Sequence, residues 1–564
     1  TGLVLQANND ITVTNAITVN NPAGNGGALT LQAGRSVLIN AGITTDNGNI
    51  TVIANDLLAN GVIDAHRDAG AAEILFGTGG FINAGTGAVS LHLRSGAGKT
   101  NFASGNISLR NITGGTISAV NDGPTAGSGI VINSGAVLTA SGAGNAIILS
   151  GKRFTNNGGA GALALTGGGR FLIYSDNWDN DTRGGLVGGN LYNRTFAGHA
   201  PGTITQTGNQ FLFSRQPILT VTPQTAATRE YGAVNPAFTA TITGLVNGDS
   251  AAAAYAGAPS VTTPAGQFAN AGTYAINAAL GSLVSDIGYG FAFGTPGTLT
   301  VTKALLTVTA DNKTREYGAV NPALTGTITG FKGTDTAAVV TGLTYGTTAG
   351  QFSNVGAYAI NGVGGTATNY DFAYVPGTLT VTKALLTVTA DNKTREYGAV
   401  NPALTGTITG FKGTDTAAVV TGLTYGTTAG QFSNVGAYAI NGSGGTATNY
   451  DFAYVPGTLT VTKALLTVTA DNKTRTYGAA NPALTGTITG FKGTDTDAVV
   501  TGLSYATVAT QASNVGAYAI NASGGVATNY DFAYVPGTLT VTKALLTVTA
   551  DNKTRTYGAA NPAL

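Results

Sequence analysis

Along residues 1 to about 216, apolar and small polar residues alternate for three to five positions, and each run ends in glycine or asparagine. The pieces "LVLQANNDITV" from Leu3, "ALTLQAGRSVLINAGI" from Ala28, "GNITVIAND" from Gly48 and "AVSLHLRSGAG" from Ala88 are of this kind. Comparable pieces return roughly every 20 residues, too short for a globular domain and suited to one coil of a right-handed parallel β-helix. Val, Ile and Leu then face a narrow core while Thr, Asn and Ser face outward. About ten rungs at ~4.8 Å each are expected. Residues 1–170 read as the shaft and 171–216 as its cap, or as the joint between the shaft and the repeats.

From Gln216 the pattern changes. The unit Ala304–Lys383 returns as Ala384–Lys463 with one difference, Val363 against Ser443, and again with more drift as Ala464–Lys543. A divergent first copy fills 217–303, and an incomplete fifth fills 544–564. A unit of this length is enough for a small domain with its own core. One unit ends "GTLTVTK" and the next begins "ALLTVTAD", so the joints are expected to be short and stiff. Leu379 and Val381 occupy odd positions, whereas Leu386 and Val388 occupy even ones. The slip at Lys383–Ala384–Leu385 reverses the buried face and marks a domain boundary. Within a unit, strands are predicted over 385–390, 404–410, 421–427, 436–441 and 450–462. A helical turn is predicted in 413–420 with Asp415 as its N-cap. The fold class is all-β: a right-handed parallel β-helix, then tandem small β-rich domains, sandwich-like or grasp-like.

Composition narrows the function. Glycine is abundant at 84 residues, and charged residues make up 9%. Lys and Arg number 27 against 26 Asp and Glu, so there is no basic stripe for nucleic acid. No apolar run approaches the roughly 18 residues of a membrane-spanning helix. Cysteine is absent. That suits a chain which crosses an outer membrane unfolded and relies on sheet hydrogen bonding. Methionine is absent too, even at position 1, so the chain is expected to be a segment of a longer precursor, any signal peptide lying upstream.

Every copy contains Tyr-Gly-Ala-x-Asn-Pro, with Tyr317, Asn321 and Pro322, then Tyr397, Asn401 and Pro402, then Tyr477, Asn481 and Pro482. Tyr-Gly packs a ring and permits an unusual backbone angle, and Asn-Pro sets a turn, so the motif reads as a structural corner. These residues resemble the MBG repeat of the YGX type, found in large bacterial surface adhesins, over about 217–564. Residues 1–215 resemble the β-helical shaft of filamentous-haemagglutinin-like exoproteins. The stretches "GGRFLIYSDNWDNDTRGGL" (168–186) and "GNQFLFSRQPILTVTP" (208–223) resemble the hand-over from such a shaft to MBG repeats. The resemblance implies two-partner secretion through an outer-membrane pore, an extracellular or cell-surface location, and cell adhesion or biofilm formation. The secretion domain of that family, with its Asn-Pro-Asn motifs, is not in this sequence.

Reactive chemistry is sparse. His66, His92 and His199 are far apart, and no cysteine nucleophile or phosphate-binding glycine motif is present. The acidic group Asp176, Asp179 and Asp181 departs from the calcium-loop spacing, which leaves it as a weak metal candidate. Tyr174, Trp178 and Arg183 form a candidate sugar-binding patch, with a wet cap over the last rung as the competing reading. A Lys–Asn isopeptide bond needs a buried acid, for which Glu316 and Glu396 are candidates, but the next copy has Thr476 there. Sequons recur at Asn312–Thr314 and Asn392–Thr394. Each of the three copies from Ala304 to Lys543 carries four basic and four acidic residues, a stalk that does not repel itself. No cofactor is expected, calcium aside, and no enzymatic activity. The expected role is the stalk of a large secreted adhesin or biofilm-matrix protein. Its partners would be the secretion pore, extracellular polysaccharide or further copies of itself. The alternatives are a purely structural extracellular filament held by chain-to-chain contacts and, more remotely, a polysaccharide-active β-helix enzyme.

Overall fold

A computed structural model describes residues 2–21, 26–100 and 103–564. The chain divides into two compact units, 1–304 and 305–564. The first begins with three parallel sheets that wind as a β-helix. One sheet runs from Leu3–Ala7 through Leu29–Ala33, Ile50–Ala54, Val89–Leu93, Ile117–Asn121 and Asn145–Ser150, and the other two contribute six strands each. Register is set by the inward column. Leu29 pairs with Ile50, Ile50 with Val89, Val89 with Ile117, and Ile117 with Ile147. All five are essentially fully buried. The alternation that predicts the shaft is that of strand Leu29–Ala33, where every second residue is buried.

Six three-sided rungs form among the described residues, not ten. Each coil needs three strands and three corners, and some corners are long. Between Ile50–Ala54 and Ala72–Phe76 the chain leaves the coil through two short 3₁₀ turns, Leu58–Asn60 and Asp64–His66. That excursion supplies Arg67, and the loop after Val89–Leu93 supplies Lys99, to a buried polar corner. Arg67 donates through Nη2 to Asn55 Oδ1 at 2.8 Å, and Lys99 Nζ reaches the same oxygen at 3.3 Å. Burial, with Arg67 beside it, lowers the Lys99 ammonium to about 8.

Past the sixth rung only the first sheet continues, through Arg170–Ser175, Gln210–Phe213 and Gly189–Tyr192. Phe154, Phe171, Phe211, Phe213 and Tyr192 close the core there, with the ring centroids of Phe171 and Phe211 5.4 Å apart. The chain then enters the first repeat domain, 217–303.

Each of the four complete repeats is a sandwich of a three-stranded and a four-stranded sheet. In the third, Ala384–Ala390 lies between antiparallel Gly406–Thr409 and parallel Tyr450–Val455. The other sheet orders Lys393–Glu396, Gly457–Thr462, Gly436–Ser443 and Thr424–Thr427. The predicted strand over 450–462 is two strands in different sheets, because Pro456 cannot donate to a ladder. Lys393–Glu396 escapes a reading by pattern, its residues being mostly charged. The turn before Val420 is a 3₁₀ turn, Ala417–Val419, capped by Thr416 and not Asp415. The slip at Ala384 is real: Leu379 and Val381, then Ala384, Leu386 and Val388, are all buried. No strand forms within 544–564.

The apolar core of a repeat is small. In the third it comprises Ala390, Ala429, Ile440 and Leu459. A second cluster, Tyr397, Val461, Ala464, Leu466, Ala527 and Tyr530, straddles the boundary with the fourth repeat.

Candidate functional site

The stretch 174–183 does not assemble one patch. Tyr174 is buried, its hydroxyl donating to the His199 carbonyl at 2.9 Å and its ring meeting Phe196 edge-on. It lines a cleft of about 230 Å³ together with Lys152, Asp176 and Arg194, and without Trp178 or Arg183. Trp178 is half-buried, edge-on to Tyr192 at 5.2 Å and to Phe213 at 5.9 Å, with the Arg215 guanidinium 5.1 Å from its ring centroid. The Arg183 guanidinium stacks 4.0 Å from the Phe211 centroid and donates to Asn190 Oδ1 at 2.6 Å.

The three aspartates take separate partners. Asp176 pairs with Lys152 at 3.2 Å and Asp179 with Arg215 at 3.2 Å. Asp181 turns inward, accepting from Ser175 Oγ at 2.5 Å and from the Phe154 N–H at 2.8 Å. Burial raises its carboxyl to about 6. Among the described residues no three His, Asp or Glu side chains come together as a metal site. His92 faces Asp122 at 2.5 Å. Trp178 packs on Tyr192 and Phe213, whereas Asp176 and Asp179 hold ion pairs at the surface.

The repeated motif does something the sequence does not suggest. Tyr397 leaves its own repeat: its hydroxyl donates to Asp495 Oδ2 at 3.0 Å, and Tyr530 donates to the same oxygen at 2.7 Å. One joint earlier, Tyr317 and Tyr450 share Asp415 Oδ2 at 2.9 and 2.7 Å. In each pair the rings meet edge-on, 5.4 Å apart for Tyr317–Tyr450 and 5.5 Å for Tyr397–Tyr530. The Lys412 N–H donates to the Tyr450 hydroxyl at 2.9 Å, which leaves the phenolic proton for the aspartate. Burial, then the bond to Asp415, pushes the Tyr450 phenol up to about 12; the same causes raise Tyr317. Tyr477 of the fourth repeat is 47% exposed.

Glycine follows the tyrosine for two reasons. Gly398 has φ +78°, and a Cβ there would lie 2.4 Å from Lys492 Cβ of the next repeat. The same lysine reaches back to Glu396 at 3.0 Å, as Lys412 does to Glu316. These glutamates lie in surface ion pairs, so they are not the buried acids an isopeptide bond needs.

Asn401 is a clamp inside its own repeat. Its Oδ1 accepts from Arg395 Nε at 2.7 Å, and its Nδ2 donates to the Ala429 carbonyl at 2.7 Å. Arg395 is buried, with Nη2 on the Gly430 carbonyl at 2.5 Å. Asn321 with Arg315 and Asn481 with Arg475 repeat this clamp. Pro322, Pro402 and Pro482, each part-buried, come directly after. The sequon asparagines are strand caps: Asn312 Oδ1 accepts from the Thr378 N–H and Asn392 Oδ1 from the Thr458 N–H, each at 2.8 Å. Arg395, Asp415 and Tyr450 carry no sequence motif that marks them as joint or clamp residues. The only signal for them is their unchanged place in successive copies, and nothing linear links a tyrosine to an aspartate 98 residues on.

The family profile described as MBG domain (YGX type) matches residues 219–300, 306–380, 386–460 and 466–540, more than half of the chain. No curated protein matches. Among solved structures, the chain is similar to Drosophila N-cadherin EC1-4 at 9% identity and TM-score 0.18, over 48% of this chain and 83% of that one. A structure titled for Dscam isoform specificity aligns at 12% identity and TM-score 0.16, over 57% of this chain and 98% of that one.

Proposed function

The chain belongs to the MBG domain family of the YGX type, and on that premise we propose that it is the shaft-and-stalk segment of a large secreted bacterial adhesin or biofilm-matrix protein. The reading is a non-enzymatic one. The repeats are spacers that carry an adhesive surface away from the cell, and exit is through an outer-membrane pore by the two-partner route of filamentous-haemagglutinin-like proteins. Extracellular polysaccharide or further copies of the chain are the partners that fit a neutral surface, poor in charge, at the cell exterior.

The observation that carries the spacer reading is the joint within 305–564. It has no linker, and its buried cluster has more members than the repeat's own core. A ligand site needs one good copy, whereas a spacer gains from every additional one. Small-angle scattering on the chain and on a form lacking Ala384–Lys463 tests this. The maximum dimension is expected to fall by roughly 35–45 Å, the length of an ~80-residue domain. An unchanged dimension overturns the spacer. Display on a non-adherent Gram-negative host is expected to confer surface attachment or clumping, and a host that stays planktonic sinks the adhesin assignment.

A further inference from the structure

The two joints between complete repeats within 305–564 are each closed by a tyrosine of one repeat and an Asp–Tyr pair of the next. The end of the β-helix shows the same arrangement without the sequence motif. Tyr192 ends the outermost strand of the long sheet, Gly189–Tyr192. Its hydroxyl donates to Asp249 Oδ2 at 2.6 Å, and Tyr289 donates to that same oxygen at 2.9 Å. The two rings meet at 5.0 Å and 70°, against 5.4 Å and 79° for Tyr317–Tyr450. The Val246 N–H donates to the Tyr289 hydroxyl at 3.0 Å, as the Lys412 N–H does to Tyr450.

The receiving surfaces correspond position by position. Asp249, Tyr289, Leu219, Ile242 and Phe291 of the first repeat stand where the third has Asp415, Tyr450, Leu386, Ile408 and Phe452. Leu219 and Tyr289 are buried in one cluster with Tyr192 and Phe213 of the shaft, and Leu386 and Tyr450 in one with Tyr317. The presenting sides share no such motif: Leu-Tyr-Asn-Arg at 191–194 against Glu-Tyr-Gly-Ala at 316–319. They do share a backbone feature. Asn193 after Tyr192 has φ +54°, and Gly318 after Tyr317 has φ +81°. Asparagine is among the few residues other than glycine that adopt this region readily. The polar rim differs. Asn190 donates to Asp249 Oδ1 at 2.5 Å at the shaft, and Lys412 pairs with Glu316 between repeats.

We propose that the entry end of an MBG repeat is a docking site for a tyrosine followed by a left-handed residue, and that it accepts this element from any preceding fold. Tyr192 is the shaft's adaptor. The carboxylate is satisfied by two phenols, one resident and one incoming, and the apolar ring of Leu, Ile and Phe positions seats the incoming ring. Shaft and repeat are interchangeable donors to one receptor.

Joining Gln216 directly to Ala384 tests this, because it sets Tyr192 opposite Asp415 and Tyr450. Trp178, the single tryptophan, lies 5.2 Å from the Tyr192 ring and reports on the joint. The joined chain is expected to keep the natural emission maximum. Asp415→Asn is expected to red-shift it in the joined chain but not in the natural one, where Asp415 receives Tyr317. Asp249→Asn is expected to red-shift it in the natural chain. A joined chain that fails to fold, that exposes Trp178, or that ignores Asp415→Asn overturns the proposal. In the natural chain, Tyr192→Phe is expected to move Trp178 emission and Tyr397→Phe to leave it still; an unmoved Trp178 in Tyr192→Phe also overturns it.

Discussion

Tyr397 places its ring and hydroxyl in the following repeat. A corner that stabilised only its own module would leave the neighbour untouched when truncated, and the contacts with Asp495 and Tyr530 correct that expectation. Tyr397→Ala is expected to cost about 2–4 kcal/mol, as other buried aromatic truncations do. Hydrogen exchange should show the loss on both sides of the joint, in the third and fourth repeats, and protection lost from the third alone would refute it. Tyr397→Phe keeps the ring contacts and removes one bond to a carboxylate, so a cost of about 1–2 kcal/mol is expected in urea unfolding. Asp181 gives a second test. Its carboxyl is raised to about 6 in the fold, above the usual carboxylate range, so the folded state holds a proton that the unfolded chain has lost between about pH 4 and 6. Stability from this group is present in acid and declines as pH rises through 6. Asp181→Asn should remove that slope from the shaft's thermal midpoint, measured from pH 4 to 7, and leave the end of the shaft at least as stable at neutral pH. An unchanged slope would count against it.

At the scale of elements, the joint and the shaft corner respond oppositely to alkali. Tyr450 and Tyr530 ionise at about 12 in the fold, above the ordinary phenol near 10, chiefly because they are buried and beside a carboxylate. Their contribution is complete below pH ~10 and is lost as pH rises through about 12. Phenolate absorbance followed together with unfolding should show the joints loosening in that window. Loosening complete at pH 9 would exclude the tyrosine latch as its cause. Lys99 is lowered to about 8, so below that pH the corner carries an unfavourable buried charge, relieved as pH climbs towards the unfolded value near 10.5. Lys99→Met is expected to raise the shaft's melting temperature at pH 7 and to flatten its rise between pH 8 and 10.5. A lower melting temperature at pH 7 would mean that the bond to Asn55 outweighs the charge.

At the scale of the whole molecule, the repeats behave as a set of identical couplings. Deleting Ala384–Lys463 brings Tyr317 to Asp495 and Tyr530, the same residues in the same register as before. Calorimetry is expected to show the remaining repeats melting within a few degrees of the parent, because nearest-neighbour terms are regenerated. A deletion that lowers their midpoint as much as Tyr397→Ala does would show that the joints are not equivalent.

The alternation in strands such as Leu29–Ala33 was enough to place the parallel shaft, and the phase slip at Ala384 was enough to place a boundary, because a strand's buried face follows a period of two. The exact repetition of 80 residues identified the modules and the Tyr-Gly-Ala-x-Asn-Pro motif. Six rungs instead of ten, and the strand Lys393–Glu396, were not legible, since corner length and the pairing of a charged strand leave no periodic mark. The partners of the motif were hidden for a related reason. A tyrosine and an aspartate 98 residues apart become neighbours only when two modules are docked, and Tyr192 matches Tyr317 in geometry while sharing none of its surrounding sequence. The sequence by itself determined the strands, the repeat and the residues available at each joint. The tertiary structure decided that those residues bind the next module instead of their own, because the carboxylate that satisfies the phenol belongs to the neighbour.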